Sequence, residues 1–332
     1  MDDPLRHHGD SEAREATLDF AVNVYAGARP GWLDEALRAS LDDVGVYPSA
    51  ERAQRAVAAH HRRPFDNVLV TAGAAEAFTL VARLRPWSMP VVVHPQFTEP
   101  HAALEQAGHR VRSVVLPPPF ALDPDLVPDD ADLVIIGNPT NPTGALHPAE
   151  TIRSLLKPGR VVVVDEAFMD CDPDESESLA GLRVAGLVVI RSLTKHWGIP
   201  GIRAGYLVGD AMVVAGLALN QAPWSVGTTA AAAVLACTSP EAVAEGRRRA
   251  EEIRDWREHL EKGLADLGVH HLPSTASFVL AQVGDGVHER LRAAGIAVRR
   301  ADTFPGLDGS WIRIAVRPEE LTDQLLAALA NL

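Results

Sequence analysis

Short runs of β-branched and other apolar residues recur between residues 67 and 208, and segments with helical spacing separate them. Each run has the length of one strand, and the runs lie at residues 68–70, 91–93, 113–115, 133–136, 161–164, 187–190 and 206–208. Strands that alternate with helices are typical of crossover connections and of a mostly parallel sheet covered on both faces. We therefore predict an α/β fold in which residues 31–240 form a large domain with a seven-stranded, mostly parallel sheet covered by helices.

The pattern changes after residue 240. Residues 241–267 combine dense charge with helical spacing of apolar positions, which predicts a long amphipathic connector helix. Beyond it, the sequence predicts strands at 278–283, 297–300 and 311–316 and helices at 286–294 and 318–330. Residues 241–332 are thus predicted to hold the connector helix and a small α+β domain.

Length, composition and charge narrow the classes of function. The 332 residues exceed the usual size of a single core, and 47% hydrophobic with 23% charged residues is ordinary for a globular protein. A net charge of -13 argues against binding to nucleic acid. Cys171 and Cys237 have no spacing typical of a zinc site or a disulfide framework, so we expect no metal and a reducing environment. No signal peptide or membrane span is apparent, and we expect a cytoplasmic protein without membrane partners.

One lysine is surrounded by hydroxyl and guanidinium groups. Ser192 and Thr194 precede Lys195, and Arg203 follows after a glycine-containing segment. Such a lysine suits a Schiff base with a phosphorylated aldehyde, because hydroxyls and a forked guanidinium can bind the phosphate. Pyridoxal 5′-phosphate is the aldehyde that fits. The alternative is a solvated surface lysine, since an isolated Ser-x-x-Lys sequence is common.

Two polar side chains lie at or after the ends of predicted strands. Asp165 follows the run 161–164, where a carboxylate can keep a pyridine nitrogen protonated. Asn141 lies in residues 137–144, whose two Asn-Pro steps and terminal glycine predict a rigid turn that can present its amide to a phenolic oxygen. For Asp165 the alternative is a helix cap.

Small residues and an aromatic residue follow two earlier strands. Gly73, Ala74 and Ala75 join a strand to a predicted helix, where exposed backbone N–H groups and the helix dipole favour a phosphate. A tight turn made for packing alone explains the same residues. Phe97 follows the strand at 91–93 and also projects from a strand end, although most aromatic residues belong to the core.

Together these motifs resemble a known family. They resemble the fold-type I, class I and II pyridoxal-phosphate aminotransferases in order and spacing, over nearly the whole chain. The motifs that carry the resemblance are Asn138-Pro-Thr-Asn-Pro-Thr-Gly144, Asp165-Glu-Ala167, Ser192-Leu-Thr-Lys195 and Gly201-Ile-Arg-Ala-Gly-Tyr206. Within the family the chain is most similar to the branch that holds histidinol-phosphate aminotransferase and threonine-phosphate decarboxylase. The sequences at 191–195 and 199–203 favour the decarboxylase.

The resemblance implies a cofactor role for each candidate residue. Lys195 forms the Schiff base and then transfers protons, Asp165 pairs with the pyridine nitrogen, and Asn141 bonds the phenolic oxygen. Phe97 stacks on the ring. The resemblance also implies a homodimer with shared active sites, and it assigns the cofactor phosphate to Gly73, Ala74, Ala75, Ser192, Thr194, Arg203 and the other subunit's Tyr47. An ordinary half-buried tyrosine at a turn is the alternative for Tyr47.

The substrate side of the site is less fully specified. Arg313 lies in an alternating strand and needs an anionic partner, which is a substrate carboxylate or, alternatively, a protein carboxylate. Asn23 and Tyr25 match a substrate-contacting loop in an N-terminal segment, residues 1–30, that the resemblance packs against the small domain. Further candidates for a substrate phosphate are His8, Arg299, Arg300 and Arg317, although Asp10 stands where the decarboxylase pattern continues with glycine after Gly9.

The expected function is that of a pyridoxal-phosphate enzyme acting on a small, phosphorylated amino acid. Phe168 stands where many relatives carry tyrosine, and the threonine-phosphate decarboxylase of cobalamin biosynthesis is the principal expectation. A histidinol-phosphate aminotransferase, or another amino-acid transaminase, is the alternative. A nicotinamide dehydrogenase is excluded because no Gly-x-Gly-x-x-Gly turn opens a helix.

Overall fold

The computed structural model describes residues 4–332, which begin with a short N-terminal part and the large domain. The elements of this part, in chain order, are α1 (Gly9–Ala13), β1 (Leu18–Phe20), α2 (Gly31–Ala39), α3 (Glu51–His60), β2 (Val68–Thr71), α4 (Ala74–Arg83), β3 (Pro90–His94), α5 (Glu99–Gln106), β4 (Arg112–Val115), β5 (Leu133–Gly137), α6 (Ala149–Arg153), β6 (Val161–Asp165), β7 (Leu187–Ser192), β8 (Gly205–Gly209), α7 (Ala211–Asn220) and α8 (Thr228–Cys237).

The remaining elements form the connector and the small domain: α9 (Pro240–Asp266), β9 (His270–His271), β10 (Phe278–Gln282), α10 (Val287–Ala293), β11 (Ile296–Arg300), β12 (Trp311–Ala315) and α11 (Glu319–Ala330). Short 3-10 helices lie at Pro4–Arg6, Ser40–Asp43, Phe65–Asn67, Pro124–Leu126, Met169–Cys171 and Pro200–Ile202. None of the helices described between residues 4 and 332 has the length and apolar character that a membrane crossing requires.

The large domain contains a seven-stranded sheet in the order β2-β8-β7-β6-β5-β3-β4. Strand β8 runs antiparallel to β2 and β7, and the other paired strands are parallel. The predicted α/β fold with a mostly parallel sheet is therefore confirmed.

The central strands are apolar throughout because both of their faces are covered. Every residue of β5 and β6 is buried. Val134 and Val162 belong to the core on one face, whereas Ile135 and Val163 belong to the core on the other, as the two-residue period of a strand requires. This double burial explains why the strands read as continuous apolar runs.

The carboxyl ends of the parallel strands meet along one edge of the sheet. Gly137 at the end of β5 pairs with Asp165 at the end of β6, and Asp165 pairs with Ile190 near the end of β7. Ser192 pairs with Gly205 at the start of β8. The motifs identified in the sequence are thereby brought to one edge, where open α/β sheets bind ligands.

The small domain contains a five-stranded sheet in the order β1-β11-β12-β10-β9. Strand β1, from the N-terminal part of the chain, pairs in parallel with β11. Helix α9 spans 27 residues and packs against α11. We retain the boundaries at residues 30 and 240 as a proposal, with β1 as the segment that returns to the small sheet.

A buried arginine joins the connector helix to the segments around Lys195. Arg249 of α9 is 0% exposed and donates to the backbone oxygens of His196 (2.9 Å) and Ala28 (2.7 Å). Its Nε donates to Glu245 at 2.9 Å, and its guanidinium lies 4.3 Å from the ring centre of Tyr25. Arg249 therefore joins α9 to the segments around His196 and Ala28, and Glu245 neutralises its charge.

We expect Arg249→Met to lower the free energy of unfolding by about 2–4 kcal/mol, because the buried carbonyls lose their donor. Arg248→Met is the matched control, since the Arg248 side chain is 55% exposed on the same helix and should change stability by less than about 0.5 kcal/mol. Urea unfolding followed by circular dichroism measures both. Equal effects of the two substitutions would contradict the bridging role of Arg249.

Candidate active site

The segment after β7 places Lys195 at the carboxyl edge of the large sheet. Its side chain is largely buried, and burial, helped by the neighbouring Arg313 and Arg203, lowers the pKa of Lys195 to about 8. Asp10 of α1 opposes this shift. Among the described residues, the Lys195 ammonium has no carboxylate within ion-pair distance. A pKa of about 8 leaves roughly a tenth of the amine neutral and nucleophilic at pH 7, a few hundred times more than an ordinary lysine has.

Two hydroxyls and a helix start lie around the same point. The hydroxyl oxygens of Ser192 and Thr194 are 2.8 Å apart. Helix α4 begins at Ala74 with no side-chain cap, so the first backbone N–H groups, including that of Ala75, are open to a ligand. Hydroxyls and helix N–H groups are the donors that phosphate oxygens accept.

Two glycines make close approach possible at this helix start. Gly73 has φ +78°, and a Cβ there would lie 2.7 Å from Nη2 of Arg203. A Cβ on Gly205 would lie 2.9 Å from the Cα of Gly73. Gly205 was not among the residues predicted from the sequence, although a glycine inside a strand signals close backbone approach.

Arg203 faces the positive end of α4. Its Nη1 donates to the Pro200 carbonyl at 3.0 Å, and its backbone is left-handed, with φ 59°. Within residues 4–332 no carboxylate forms an ion pair with Arg203. A guanidinium beside a helix N-terminus is unfavourable unless an anion lies between them, so Gly73, Arg203 and the two hydroxyls fit a phosphate.

Asp165 ends β6 as a buried carboxyl group. Burial raises the pKa of Asp165 to about 7. Its Oδ1 accepts a hydrogen bond from the Ala167 backbone N–H at 3.1 Å, and the described part of the chain provides no donor for Oδ2. The helix-cap alternative accounts for Oδ1 alone, whereas a protonated pyridine nitrogen would satisfy Oδ2 and stabilise the carboxylate.

Asn141 and Arg313 are directly linked across the two domains. Arg313 of β12 donates from Nη1 to Oδ1 of Asn141 at 2.6 Å. Asn141 therefore keeps its Nδ2 group as an unused donor among the described residues, as a phenolic oxygen would require. The turn that carries Asn141 is held by the Gly144 backbone N–H, which donates to the Thr140 carbonyl at 2.7 Å.

Arg313 is a buried cation without an acidic partner. It donates to the Ala21 carbonyl at 2.7 Å, and Asn23, with its amide oxygen turned toward the guanidinium, accepts from Nη1 at 3.0 Å and from Nε at 3.2 Å. Burial lowers the pKa of Arg313 well below its usual value. Between residues 4 and 332 no carboxylate pairs with Arg313, so the alternative of a protein salt bridge is not observed. The arrangement fits a bound anion.

Tyr25 contacts the Lys195 segment through its backbone. Its N–H donates to the Lys195 carbonyl at 3.0 Å. Its hydroxyl instead donates to Glu252 of α9, and its ring stacks with Trp256. The side chain thus serves the junction with the connector helix, and its hydroxyl already has a partner.

The arginines suggested for a substrate phosphate are engaged within the protein. Arg317 donates to the carbonyls of Asp19 (2.7 Å) and Val22 (2.7 Å) and positions the loop that carries Asn23 and Tyr25. Arg299 donates to the carbonyl of His7 at 2.7 Å and to the hydroxyl of Thr303 at 2.7 Å. Arg300 pairs with Asp302. All three guanidinium groups are therefore held by contacts within the protein.

Phe97 and His8 lie together near the N-terminal segment. Their ring centres are 5.8 Å apart, and Phe97 is also 6.2 Å from Phe78. His8 Nε2 is 2.8 Å from Oε1 of Glu99, which also pairs with Arg6. Phe97 is only partly buried, so one part of its ring remains open to a ligand. No signal in the sequence pointed to Glu99, because its partners His8 and Arg6 lie 91 and 93 positions earlier in the chain.

In the described part of the chain, Tyr47 forms no hydrogen bond, ion pair or ring contact with the other candidate residues. It is 77% exposed and stacks on the exposed Trp224, with ring centres 4.5 Å apart. The half-buried alternative for Tyr47 is therefore wrong for the single chain. Its neighbours along the chain include the exposed apolar residues Leu41, Val44 and Val46.

Comparisons with known proteins identify the family. The family model for aminotransferase class I and II matches residues 15–329. This chain belongs to the class I and II aminotransferases. It is an enzyme of that pyridoxal-phosphate family. The residues fit the groups of pyridoxal 5′-phosphate: the buried Asp165 fits the ring nitrogen, the Lys195 amine fits the aldehyde, and the anion site beside Gly73 fits the phosphate.

Individual relatives divide between two activities. The chain is 46% identical to a histidinol-phosphate aminotransferase of Mycobacterium tuberculosis, over 98% of this chain and 90% of the relative. It is 30% identical to the threonine-phosphate decarboxylase of Salmonella typhimurium, over 95% and 90%. A solved histidinol-phosphate aminotransferase from Clostridium acetobutylicum is similar at a TM-score of 0.88, with 26% identity, over 95% of this chain and 98% of that one.

The glycine at the start of α4 offers a test of the phosphate site. We expect Gly73→Ala to weaken the binding of pyridoxal phosphate at least about tenfold, because the new Cβ would meet Arg203 and the left-handed backbone costs about 1–2 kcal/mol for alanine. Gly201→Ala is the control, since its Cβ would meet nothing within 4 Å. Titration of cofactor-free protein by absorbance measures both affinities. Equal affinities would contradict the assigned site.

Proposed function

We propose that this chain is an aminotransferase of the histidinol-phosphate type. The observation that carries the proposal is the relative of that name, which is 46% identical over 98% of this chain, against 30% for the decarboxylase. The principal expectation from the sequence, threonine-phosphate decarboxylation, is therefore the less favoured of the two. It also relied on spare arginines at 299, 300 and 317, and all three are engaged within the protein.

One anion site serves both substrates of such a reaction. Histidinol phosphate carries a phosphate and no carboxylate, whereas an amino-acid donor carries a carboxylate. The guanidinium of Arg313 suits either anion, because its planar fork matches both. Since Arg313 also contacts Asn141 at 2.6 Å and Asn23, an anion bound there would lie beside the cofactor-side residues.

The roles of the protein residues follow from their surroundings. Bound pyridoxal phosphate supplies an electron sink that makes the Cα–H bond of an amine substrate acidic. The Lys195 amine, with a pKa of about 8, can accept that proton and return it. Asp165 stabilises a proton on the ring nitrogen, and Asn141 donates to the phenolic oxygen. Ser192, Thr194, Arg203 and the amides of Ala74 and Ala75 bind the phosphate.

Phe168 supports the second candidate. Its ring is buried and packs edge-on against Phe278, with ring centres 4.9 Å apart. A hydroxyl is therefore missing at this position, and Asn141 is left as the donor to the phenolic oxygen in this proposal. Because phenylalanine here also resembles the decarboxylase branch, threonine-phosphate decarboxylation remains the competing reaction to test.

We further propose a homodimer in the cytoplasm. Tyr47, Trp224, Val44 and Val46 form an exposed apolar patch, and such patches mark interfaces. The resemblance assigns Tyr47 to the phosphate of the other subunit, which agrees with the absence of contacts between Tyr47 and the other candidate residues in the described part of its own chain. The cysteines of the described chain are free, as a reducing compartment would keep them.

The two reactions differ in their need for a keto acid. We expect sustained turnover of histidinol phosphate only when 2-oxoglutarate is supplied, because each turnover leaves the amino group on the cofactor until an acceptor removes it. Glutamate formation measures this reaction. Threonine phosphate without any keto acid should release no carbon dioxide, because transamination leaves the carboxylate on the keto-acid product.

The opposite result would assign the other activity. Repeated carbon dioxide release from threonine phosphate, with no dependence on 2-oxoglutarate, would establish the decarboxylase and reject the aminotransferase proposal. Lys195→Ala serves as the control in both assays, since any activity that survives this substitution does not come from the proposed site.

A further inference from the structure

A second polar cluster lies outside the residues assigned to the cofactor. Asp170 and Cys171 belong to the 3-10 helix Met169–Cys171 that follows β6, and His196 follows Lys195. One ligand atom of each, a carboxylate oxygen, the thiol sulfur and an imidazole nitrogen, lies within 4.8 Å of the others. Asp170 and His196 also line a cavity of about 720 Å³ between the large domain and α9.

A contact with the Gly246 carbonyl fixes the His196 ring, and its other nitrogen, Nδ1, keeps a free lone pair in this cluster. Its side chain is 1% exposed, and its Nε2 lies 3.0 Å from the Gly246 carbonyl oxygen. A carbonyl can only accept, so Nε2 carries the hydrogen and Nδ1 carries the lone pair. Nδ1 receives no hydrogen bond from the described residues.

Asp170 offers that lone pair another hydrogen-bond acceptor that has no donor of its own among the described residues. Asp170 Oδ1 lies 3.9 Å from His196 Nδ1, and it too lacks a hydrogen-bond partner in the described part of the chain. Two buried acceptors that face each other are unfavourable unless a cation or a donor lies between them. The surrounding arginines do not fill this role, since Arg191 is paired with Glu166 and Glu175.

Cys171 adds a soft ligand to the same point. Its side chain is buried and forms no disulfide. It interacts with Ser277 through a hydrogen bond, which fixes the thiol beside Asp170. A sulfur, a nitrogen and an oxygen ligand together favour zinc over magnesium or calcium, which prefer oxygen ligands alone.

We propose that Asp170, Cys171 and His196 bind one zinc ion, with a water molecule from the adjoining cavity as the fourth ligand. The contact between His196 and the Gly246 carbonyl is the outer hydrogen bond that metal-binding histidines usually make. In a tetrahedral site the ligand atoms lie roughly 3.3–3.8 Å apart. The present separations of up to 4.8 Å thus require a movement of about 1 Å, within the reach of small side-chain rotations.

The position of the site determines its consequence. A zinc ion would join the segment after β6, which carries Asp165, to the segment that carries Lys195. Zinc would therefore stabilise the loop around Lys195 without contacting the cofactor. The sequence did not indicate this site because 25 positions separate Cys171 from His196, and zinc motifs are recognised by short local spacing.

The test uses holoenzyme that has been treated with a chelator and then dialysed against zinc. We expect one zinc per chain by metal analysis and a rise in melting temperature. Each of Asp170→Asn, Cys171→Ser and His196→Gln should weaken zinc binding by more than about a hundredfold, since even outer-shell partners account for about 10–100-fold. His60→Gln is the matched control, because His60 lines the same cavity outside the cluster and should leave zinc binding unchanged.

Cobalt substitution tests the ligand set in the unmodified chain. A tetrahedral cobalt site with one thiolate gives visible bands at longer wavelength than the cofactor, together with a sulfur-to-metal charge-transfer band. Retained cofactor absorbance and far-ultraviolet circular dichroism show that each variant is folded. The proposal is overturned if the wild-type protein binds no zinc after dialysis, if cobalt shows no thiolate band, or if His60→Gln removes binding while the three substitutions do not.

Discussion

The site depends on ionisable side chains that are buried without a protein group of opposite charge beside them. Lys195 and Asp165 lie at the carboxyl edge of the large sheet, and Arg313 of the small sheet reaches the same region through Asn141. Burial moves the pKa of Lys195 down to about 8 and that of Asp165 up to about 7. Each of these shifts disfavours the charged form, so each group gains when a ligand supplies what the protein omits. A phosphorylated pyridine aldehyde and an anionic substrate supply an aldehyde, a ring nitrogen and an anion at those three points.

The buried arginines elsewhere in the chain make the contrast clear. Arg249, Arg191 and Arg317 are as deeply buried as Arg313, but carboxylates or several backbone carbonyls satisfy their donors. They connect segments and hold the loops around Lys195 in place. Arg313 differs because its partners are two amides and one carbonyl, which orient the guanidinium without neutralising it. Burial without an acidic partner does not by itself identify a ligand-binding arginine, since Arg299 is also buried and donates only to neutral groups. Arg313 is distinguished by its contact with Asn141 and its proximity to Lys195.

The sequence predicted the fold and the family well, for physical reasons. Strands β5 and β6 are buried on both faces and therefore appear as continuous apolar runs, whereas β1 and β9 are short and half-exposed and carry no comparable signal. Motifs such as residues 192–195 are local, so their order could be recognised. The partners of Arg299 and of the Tyr25 hydroxyl are distant in sequence, and only the folded chain shows that both are already engaged. The same distance concealed the cluster around His196.

The central claim is that Lys195 is the amine to which pyridoxal phosphate attaches. Borohydride reduction of the holoenzyme, followed by proteolysis and mass spectrometry, tests it directly. We expect the pyridoxyl group on the peptide that contains Lys195. It should be absent from the chain's other lysines, Lys157 and Lys262, whose side chains interact with Asp129 and Asp266. Stoichiometric labelling of Lys157 or Lys262, with Lys195 unmodified, would contradict the account.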